Sequence, residues 1–84
     1  MAKKYEFSEI GLLPALGDNV AIATEVVEVG AEIHYNDQTF SISHTILEGH
    51  RFAVDSIQIG QHLLSWGLPF GTAIEQINPG DYVS

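Results

Sequence analysis

Four short segments of this sequence share one pattern, in which a glycine lies three residues after one apolar residue and three residues before the next. They are VEVGAEI at 27–33, ILEGHRF at 46–52, IQIGQHL at 57–63 and INPGDYV at 77–83. Glycine adopts positive φ at little cost, so each segment predicts a tight reversal between two extended pieces whose apolar residues face the core. The glycines at 30, 49, 60 and 80 leave intervals of 19, 11 and 20 residues, which indicates two related halves.

The residues between these glycines favour strands. In QTFSISHTI, the residues Phe40, Ile42, His44 and Ile46 alternate with serine and threonine. This alternation is the period of a half-buried strand. It places His44 on the apolar face, where an interior histidine with a hydrogen-bond partner is a better interpretation than a metal ligand.

Turn and strand signals continue on both sides of this segment. Asn36-Asp37 lies between two extended runs and suits a two-residue hairpin loop with positive φ at both positions. The segment NVAIATEVV is apolar on both faces at Val20–Ala23, which predicts a central strand. Leu68-Pro69, between two glycines, predicts a corner, because proline cannot donate to a strand ladder.

No window carries apolar residues at helical spacing over three turns, so we expect a small all-β domain of short bent strands with glycine turns and minimal helix. The domain spans residues 11–84, and residues 1–10 form a weakly ordered N-terminal arm. The alternation of Tyr5, Phe7 and Ile10 leaves an added edge strand open for this arm.

Charge and length limit the classes of function. The net charge is −8, with three Lys and Arg residues in all, and phosphate binding needs more cations than this, so we expect no nucleic-acid partner. No signal peptide or membrane-spanning run is visible, which predicts a cytoplasmic protein without membrane contact. A chain of this size has a thin core, so association with a partner or with further copies of itself would stabilise it.

Arg51 is the only fixed positive charge between Tyr5 and Ser84. If the body of the domain binds an anion through a side chain, Arg51 is therefore the candidate. The structural alternative is a surface ion pair with Glu48 or Asp55, which would contribute only about 0–1 kcal/mol.

Several separated motifs resemble the N-terminal domain of the altronate and galactarate dehydratase family, a member of the SAF group. The motifs are GDNVAIA at 17–23, GHRFAV at 49–54, IQIGQHLLSWGLPFGTA at 57–73 and INPGDYV at 77–83, and the likeness runs from about Leu13 to Val83. The resemblance implies a β-clip fold and a part in β-elimination, of water or sulfite, from a hydroxy acid.

The resemblance also implies partners. In the dehydratases this domain precedes a large catalytic domain, and in the related sulfolactate sulfo-lyase a chain of about this size is a separate small subunit. We expect the second arrangement, with an acidic small-molecule substrate and with iron(II) or manganese(II) held mainly by the large subunit. Two alternatives stay open: a non-catalytic module that recognises a sugar acid or a protein, and an excised domain of a longer enzyme.

Four residues become site candidates through this likeness. His50 could act as a catalytic acid or base, because imidazole exchanges protons near neutral pH, or could simply cap a turn carbonyl. Arg51 could hold the carboxylate of the substrate or of the large subunit. Asp18 and Asn19 are first of all turn residues whose side-chain oxygens accept backbone N–H bonds, and a substrate-binding role beside the Gly-His turn is the alternative.

The sequence departs from the family pattern at three places. Arg51 stands where the family has lysine, which keeps the charge and permits bidentate carboxylate binding. Ser65-Trp66-Gly67 replaces Lys-Tyr-Gly, so a basic side chain is lost there, and Trp66 is interpreted as a core or interface anchor. Related chains often continue into a histidine-containing tail after the last glycine motif, and this sequence ends at Tyr82-Val83-Ser84.

Overall fold

The computed structural model describes residues 3–83, and Met1, Ala2 and Ser84 lie outside this part. Short strands dominate these residues, and the helix among them has four residues, which confirms the expected all-β fold with minimal helix. No helix within residues 3–83 is long and apolar enough to cross a membrane. The elements in chain order are β1 (Lys4–Glu6), α1 (Phe7–Ile10), β2 (Gly11–Leu12), β3 (Val20–Ala23), β4 (Glu32–Tyr35), β5 (Gln38–Ser41), β6 (Arg51–Ala53), β7 (His62–Ser65), β8 (Leu68–Thr72) and β9 (Tyr82–Val83).

An antiparallel sheet in the order β2-β3-β6-β9 forms the middle of the domain. The strand β3 lies inside this sheet, as its apolar character on both faces predicts. The hairpin of β4 and β5 is extended by β1, which runs parallel to β4, and β7 and β8 form a second hairpin.

Two apolar cores lie on opposite sides of the central sheet. Successive residues of a strand point to opposite faces, and accordingly Phe52 packs in the first core and Ala53 in the second. The first core includes Ile33 and Phe40 from the hairpin β4–β5. The second is closed by Leu63, which precedes the tip of the hairpin β7–β8. The central sheet therefore lies between the two hairpins.

The hydrogen bonds reveal the two related halves that the glycine spacing predicts. The Gly30 N–H donates to Ile42 O and the Gly60 N–H to Ala73 O, both at 2.8 Å. A second matching pair, also at 2.8 Å, runs from the N–H groups of Gly49 and Gly80 to the carbonyls of Ala23 and Ala53. All four glycines have positive φ, so the predicted reversals are confirmed.

The two hairpins turn in the same way. Asn36 and Asp37 have φ of 47° and 63°, which confirms the predicted loop, and Trp66 and Gly67 repeat it with 60° and 73°. The predicted corner at Leu68-Pro69 is wrong, because these residues belong to β8. Proline is tolerated there because the register of the hairpin shifts between Leu63 and Leu64, beside Pro69.

The strand predicted over residues 38–46 is shorter than expected. The strand β5 ends at Ser41, and the chain bends at Ser43 and His44 before Ile46 bridges to Val27. The bend turns His44 into solvent, so its predicted interior position is wrong. Its Nδ1 lies 3.0 Å from the Ser43 hydroxyl. Alternation alone could not show where the ladder stops.

The N-terminal segment contributes to the first core. Residues 4–6 form the edge strand that the alternating pattern leaves open, with Tyr5 paired to Ile33. Ile10 is completely buried, and Phe7 packs on Tyr35 with ring centroids 4.8 Å apart. The division into an arm over 1–10 and a domain over 11–84 stays a prediction.

We expect the equivalent glycines 49 and 80 to respond differently to alanine. Both have positive φ, so each substitution should cost about 1–2 kcal/mol in backbone strain. A Cβ at Gly49 meets no atom within 4 Å, whereas one at Gly80 would collide with the Ser41 carbonyl oxygen, which should cost about 1–3 kcal/mol more. Urea unfolding of Gly49→Ala and Gly80→Ala measures both. Equal losses of unfolding free energy in the two variants would contradict the predicted collision at Gly80.

Candidate functional site

His50 immediately precedes β6 and is exposed at the end of the central sheet. Its ring stacks on Tyr82 with centroids 6.0 Å apart and planes inclined by 28°. The Tyr82 hydroxyl lies 3.1 Å from Nδ1 of His50, within hydrogen-bond distance. These contacts fix the ring of His50 and leave Nε2 as the nitrogen for an external partner.

Arg51 is partly buried beneath the second hairpin. Its guanidinium carbon lies 4.8 Å from the centre of the Phe70 ring, a cation–π contact. Its Nε is buried without an acceptor, and none of the carboxylates within residues 3–83 forms an ion pair with it, so the alternative of pairing with Glu48 or Asp55 is not found. Among residues 3–83, the Nε–H group of Arg51 therefore lacks a hydrogen-bond acceptor.

His50 and Arg51 lie on opposite sides of the central sheet. Arg51 pairs across the strands with Val83, a member of the second core. His50 stacks on Tyr82, which pairs with Phe52 of the first core. The side chains of adjacent strand residues point to opposite faces of a sheet. A ligand can therefore contact both His50 and Arg51 only by reaching around the end of β6.

Asp18 is buried, with 2% of its surface exposed, and its carboxylate accepts three backbone hydrogen bonds. The N–H groups of Ala15, Trp66 and Gly67 donate to it at 2.9, 2.8 and 2.9 Å. A carboxylate shared by three donors is fully engaged within the fold. It joins the loop before β3 to the tip of the second hairpin.

Asn19 makes a related connection to β7. Its side-chain N–H donates to His62 O at 2.9 Å, and its Oδ1 accepts from the Leu64 N–H at 2.8 Å. The Asn19 amide thus bonds to β7 as the peptide group of a neighbouring strand would. The edge of β7 that it occupies corresponds to the edge of β4 that pairs with β1. Asp18 and Asn19 act together as one clamp on the second hairpin. Their side-chain oxygens accept backbone N–H bonds, as predicted for turn residues, but from donors far along the chain.

The structure does not bring this clamp to the Gly-His turn. The Asn19 carbonyl accepts from Val54 at 3.0 Å at one end of the β3–β6 pair, and the His50 carbonyl accepts from Ala23 at 2.8 Å at the other. The two ends are about 13 Å apart at ~3.3 Å per residue. A substrate-binding role for Asp18 and Asn19 stays a prediction.

An open cleft of about 510 Å³ lies beside β9. Its polar lining includes His44, Glu75, Asp81 and Tyr82. Two carboxylates give this cleft a negative field that disfavours an anionic ligand. Its lining includes Tyr82 together with second-core residues such as Ala73 and Val83, and it does not include Arg51.

The histidines are dispersed. His34 is exposed, and its Nδ1 lies 2.9 Å from Oε1 of Glu6. His62 is also exposed, with Nδ1 3.5 Å from the Thr72 hydroxyl. Among residues 3–83, no three His, Asp or Glu side chains are grouped so that they could hold a metal ion. The divalent metal that the family implies therefore does not fit a site made by these residues alone.

The fold and the site define a small sheet-rich domain with a buried clamp and a guanidinium that has no ion-pair partner among residues 3–83. The model of the altronate/galactarate dehydratase SAF domain matches residues 13–84, and the chain belongs to this family. The resemblance drawn from the sequence motifs is thereby confirmed.

Two curated relatives are altronate dehydratases. The one from Escherichia coli strain K12 is 35% identical over 66 residues, and the one from Bacillus subtilis strain 168 is 27% identical over 66 residues. Each alignment covers 79% of this chain and 13% of the relative. The chain thus spans about an eighth of the length of these enzymes.

Sequence reasoning missed two residues of the site. Tyr82 belongs to the fourth glycine motif, but nothing local indicates that it stacks on His50, 32 residues away. Phe70 follows the predicted corner at Leu68-Pro69, and its contact with Arg51 depends on the register shift in the hairpin. Both depend on which strands pair, which the motifs do not specify.

We expect Asp18→Asn to destabilise the domain by about 2–4 kcal/mol, because an amide replaces a charged acceptor and turns one N–H group toward other donors. Asp37→Asn is the matched control, since asparagine is equally suited to an exposed turn with φ of 63°. Urea unfolding of both variants measures the difference. A stable Asp18→Asn protein would favour a ligand role over the clamp.

The pair of His34 and Glu6 predicts a pH-dependent stability. The hydrogen bond with Glu6 and then its negative charge raise the pKa of His34 above its ordinary value of 6.5. The folded state binds this proton more tightly, so the contribution is full below pH 6.5 and is lost as the pH rises through the raised pKa. The urea midpoint should fall more between pH 6 and 8.5 in the native chain than in Glu6→Gln. An equal fall of the urea midpoint in both proteins would contradict this prediction.

Proposed function

We propose that this chain is the small SAF subunit of a dehydratase-type lyase that acts on a hydroxy acid together with a large catalytic subunit. The observation that carries the proposal is the match of the dehydratase SAF domain to residues 13–84, with two altronate dehydratases among the relatives. The reaction would be β-elimination of water, with sulfite as the other leaving group that the family admits.

Arg51 is proposed to bind the substrate carboxylate. A guanidinium recognises a carboxylate through two parallel N–H bonds, and the Phe70 ring holds this one in place at 4.8 Å. The absence of an ion-pair partner within residues 3–83 supports the assignment, because an internal carboxylate would compete with the substrate.

His50 is proposed to transfer a proton in the elimination. Removal of the proton next to a carboxylate needs a base, and departure of the hydroxyl needs an acid or a metal. The contact of Tyr82 with Nδ1 supports this role, since it orients the ring and leaves Nε2 to exchange the proton. His50 lies at the beginning of β6, where a ligand could also reach Arg51 around the strand end.

Iron(II) or manganese(II) is proposed to reside on the large subunit. The side chains of residues 3–83 form no cluster of three potential ligands, so every step assigned to this chain is binding or proton transfer. When bound by the partner, the metal would act as a Lewis acid on the leaving hydroxyl.

A second candidate is a non-catalytic module that recognises a sugar acid or a protein. The placement of His50 and Arg51 on opposite sides of the sheet favours it, since a small ligand that stays on one side of the sheet would contact only one of them.

Affinity capture of the tagged chain from its native cell extract tests the proposal. The captured material should contain a large dehydratase-type chain and should dehydrate a hydroxy acid when iron(II) is added, whereas the chain alone should be inactive. Capture of the chain alone, or an inactive complex, would favour the binding module.

In the reconstituted complex, His50→Ala should lower kcat at least ~100-fold, the lower end of a general acid–base contribution, without changing the unfolding midpoint. His44→Ala, another exposed histidine, is the control and should retain full turnover. Arg51→Lys should raise KM, because the bidentate contact is lost. Unchanged turnover in His50→Ala would remove this residue from the chemistry.

A further inference from the structure

The two hairpins share a turn but differ in polarity at their tips. Asn36 and Trp66 occupy the same turn position with φ of 47° and 60°, and Gln38 and Leu68 begin the following strands. Trp66 is 62% exposed and Leu68 is 66% exposed. One hairpin of the same fold therefore has a polar tip, so folding does not require the apolar side chains of the other.

The conformation of Trp66 reinforces this point. A left-handed φ is uncommon for a bulky residue, whereas asparagine adopts it readily. The Asp18 carboxylate stabilises this turn by accepting the N–H groups of Trp66 and Gly67. The fold thus holds a large apolar ring in an unfavourable backbone conformation and leaves most of it in water.

The second hairpin also contains one extra residue. In β4–β5 the register runs without interruption, but in β7–β8 the partners step from Leu63 with Gly71 to Leu64 with Pro69. Phe70 is the residue left between them. A bulge of this kind re-aims a side chain, and here it places the ring of Phe70 over Arg51.

We propose that the exposed surface of Trp66, Leu68 and Phe70, which we name the Trp66 face, is the docking site for the large catalytic subunit. The inference rests on the proposed function and adds the surface through which the two parts meet. Aromatic residues and arginine are the side chains that dominate binding at protein interfaces. The exposed fractions of 62%, 66% and 39% leave all three side chains available to a partner.

The length of the relatives identifies the occupant. This chain covers 13% of the length of the altronate dehydratases, so the remaining, much larger part of such an enzyme is the occupant that we assign to the face. A second copy of this chain fits less well, because two chains with a charge of −8 repel each other. Docking on the Trp66 face would also bring the guanidinium of Arg51, which Phe70 covers, to the boundary between the two subunits.

The double variant Trp66→Asn/Leu68→Gln tests the face because it copies the tip of the first hairpin. Asparagine suits the turn, so the variant should fold with an unchanged or higher unfolding midpoint. Its affinity for the large dehydratase chain, recovered by the capture experiment and purified, should fall at least ~30-fold by calorimetry. Val29→Gln, an exposed apolar residue in the first half, is the matched control and should bind normally.

A second measurement uses Trp66 as the sole tryptophan of the chain. Labelling the full chain with 5-fluorotryptophan gives one fluorine resonance, which should shift when the purified large chain is added. A shift together with the ~30-fold loss in the double variant supports the proposal.

Three outcomes would overturn it. If the large chain binds the double variant as tightly as the native chain and the resonance stays in place, the proposed function stands but the docking face is wrong. If no dehydratase-type chain binds the native chain, the proposed function fails, and the large catalytic subunit is then not the occupant of the Trp66 face. If the resonance shifts with the concentration of the chain alone, the occupant is a second copy.

Discussion

The antiparallel pairing of β3 with β6 is the constraint on which the other elements depend. Both strands are short and covered on both sides, so consecutive residues are assigned to two different cores. Phe52 packs toward the first hairpin and Ala53 toward the second. The same rule separates His50 from Arg51, although they are neighbours in the sequence. A motif of adjacent residues therefore presents its side chains to different surroundings.

The internal repeat provides a comparison within one molecule. Both halves use a glycine reversal, a hairpin and a second reversal, with matching hydrogen bonds. Their free edges are closed differently, because β1 pairs with β4 while the Asn19 amide binds β7. Differences between the halves that folding does not demand, such as Trp66 in place of Asn36, are the ones most directly attributable to binding.

Much of the fold could be predicted because its signals are local. The positive φ of the turn glycines, the Asn36-Asp37 loop and the central position of β3 each follow from a few consecutive residues. The errors at His44 and at Leu68-Pro69 arose where a strand ends or shifts its register, which depends on the partner strand.

The candidate site was predicted less completely for the same reason. Arg51 was recognised as an unusual charge, but its contact with Phe70 is set by a bulge that no local pattern announces. Asp18 and Asn19 were recognised as turn residues, while the backbone groups of β7 and its turn that they bind follow far later in the chain.

That distance has a consequence for how the domain folds. The Asp18 carboxylate bonds to the N–H of Gly67, 49 residues later, so this contact closes a long loop and cannot form early. During synthesis Asp18 leaves the ribosome well before Trp66 and Gly67 exist, and the second hairpin gains the support of Asp18 only after most of the domain has emerged. Contacts of such large sequence separation slow folding. The contacts that anchor the hairpin carrying Trp66 to Asp18 are thus expected to form late in folding.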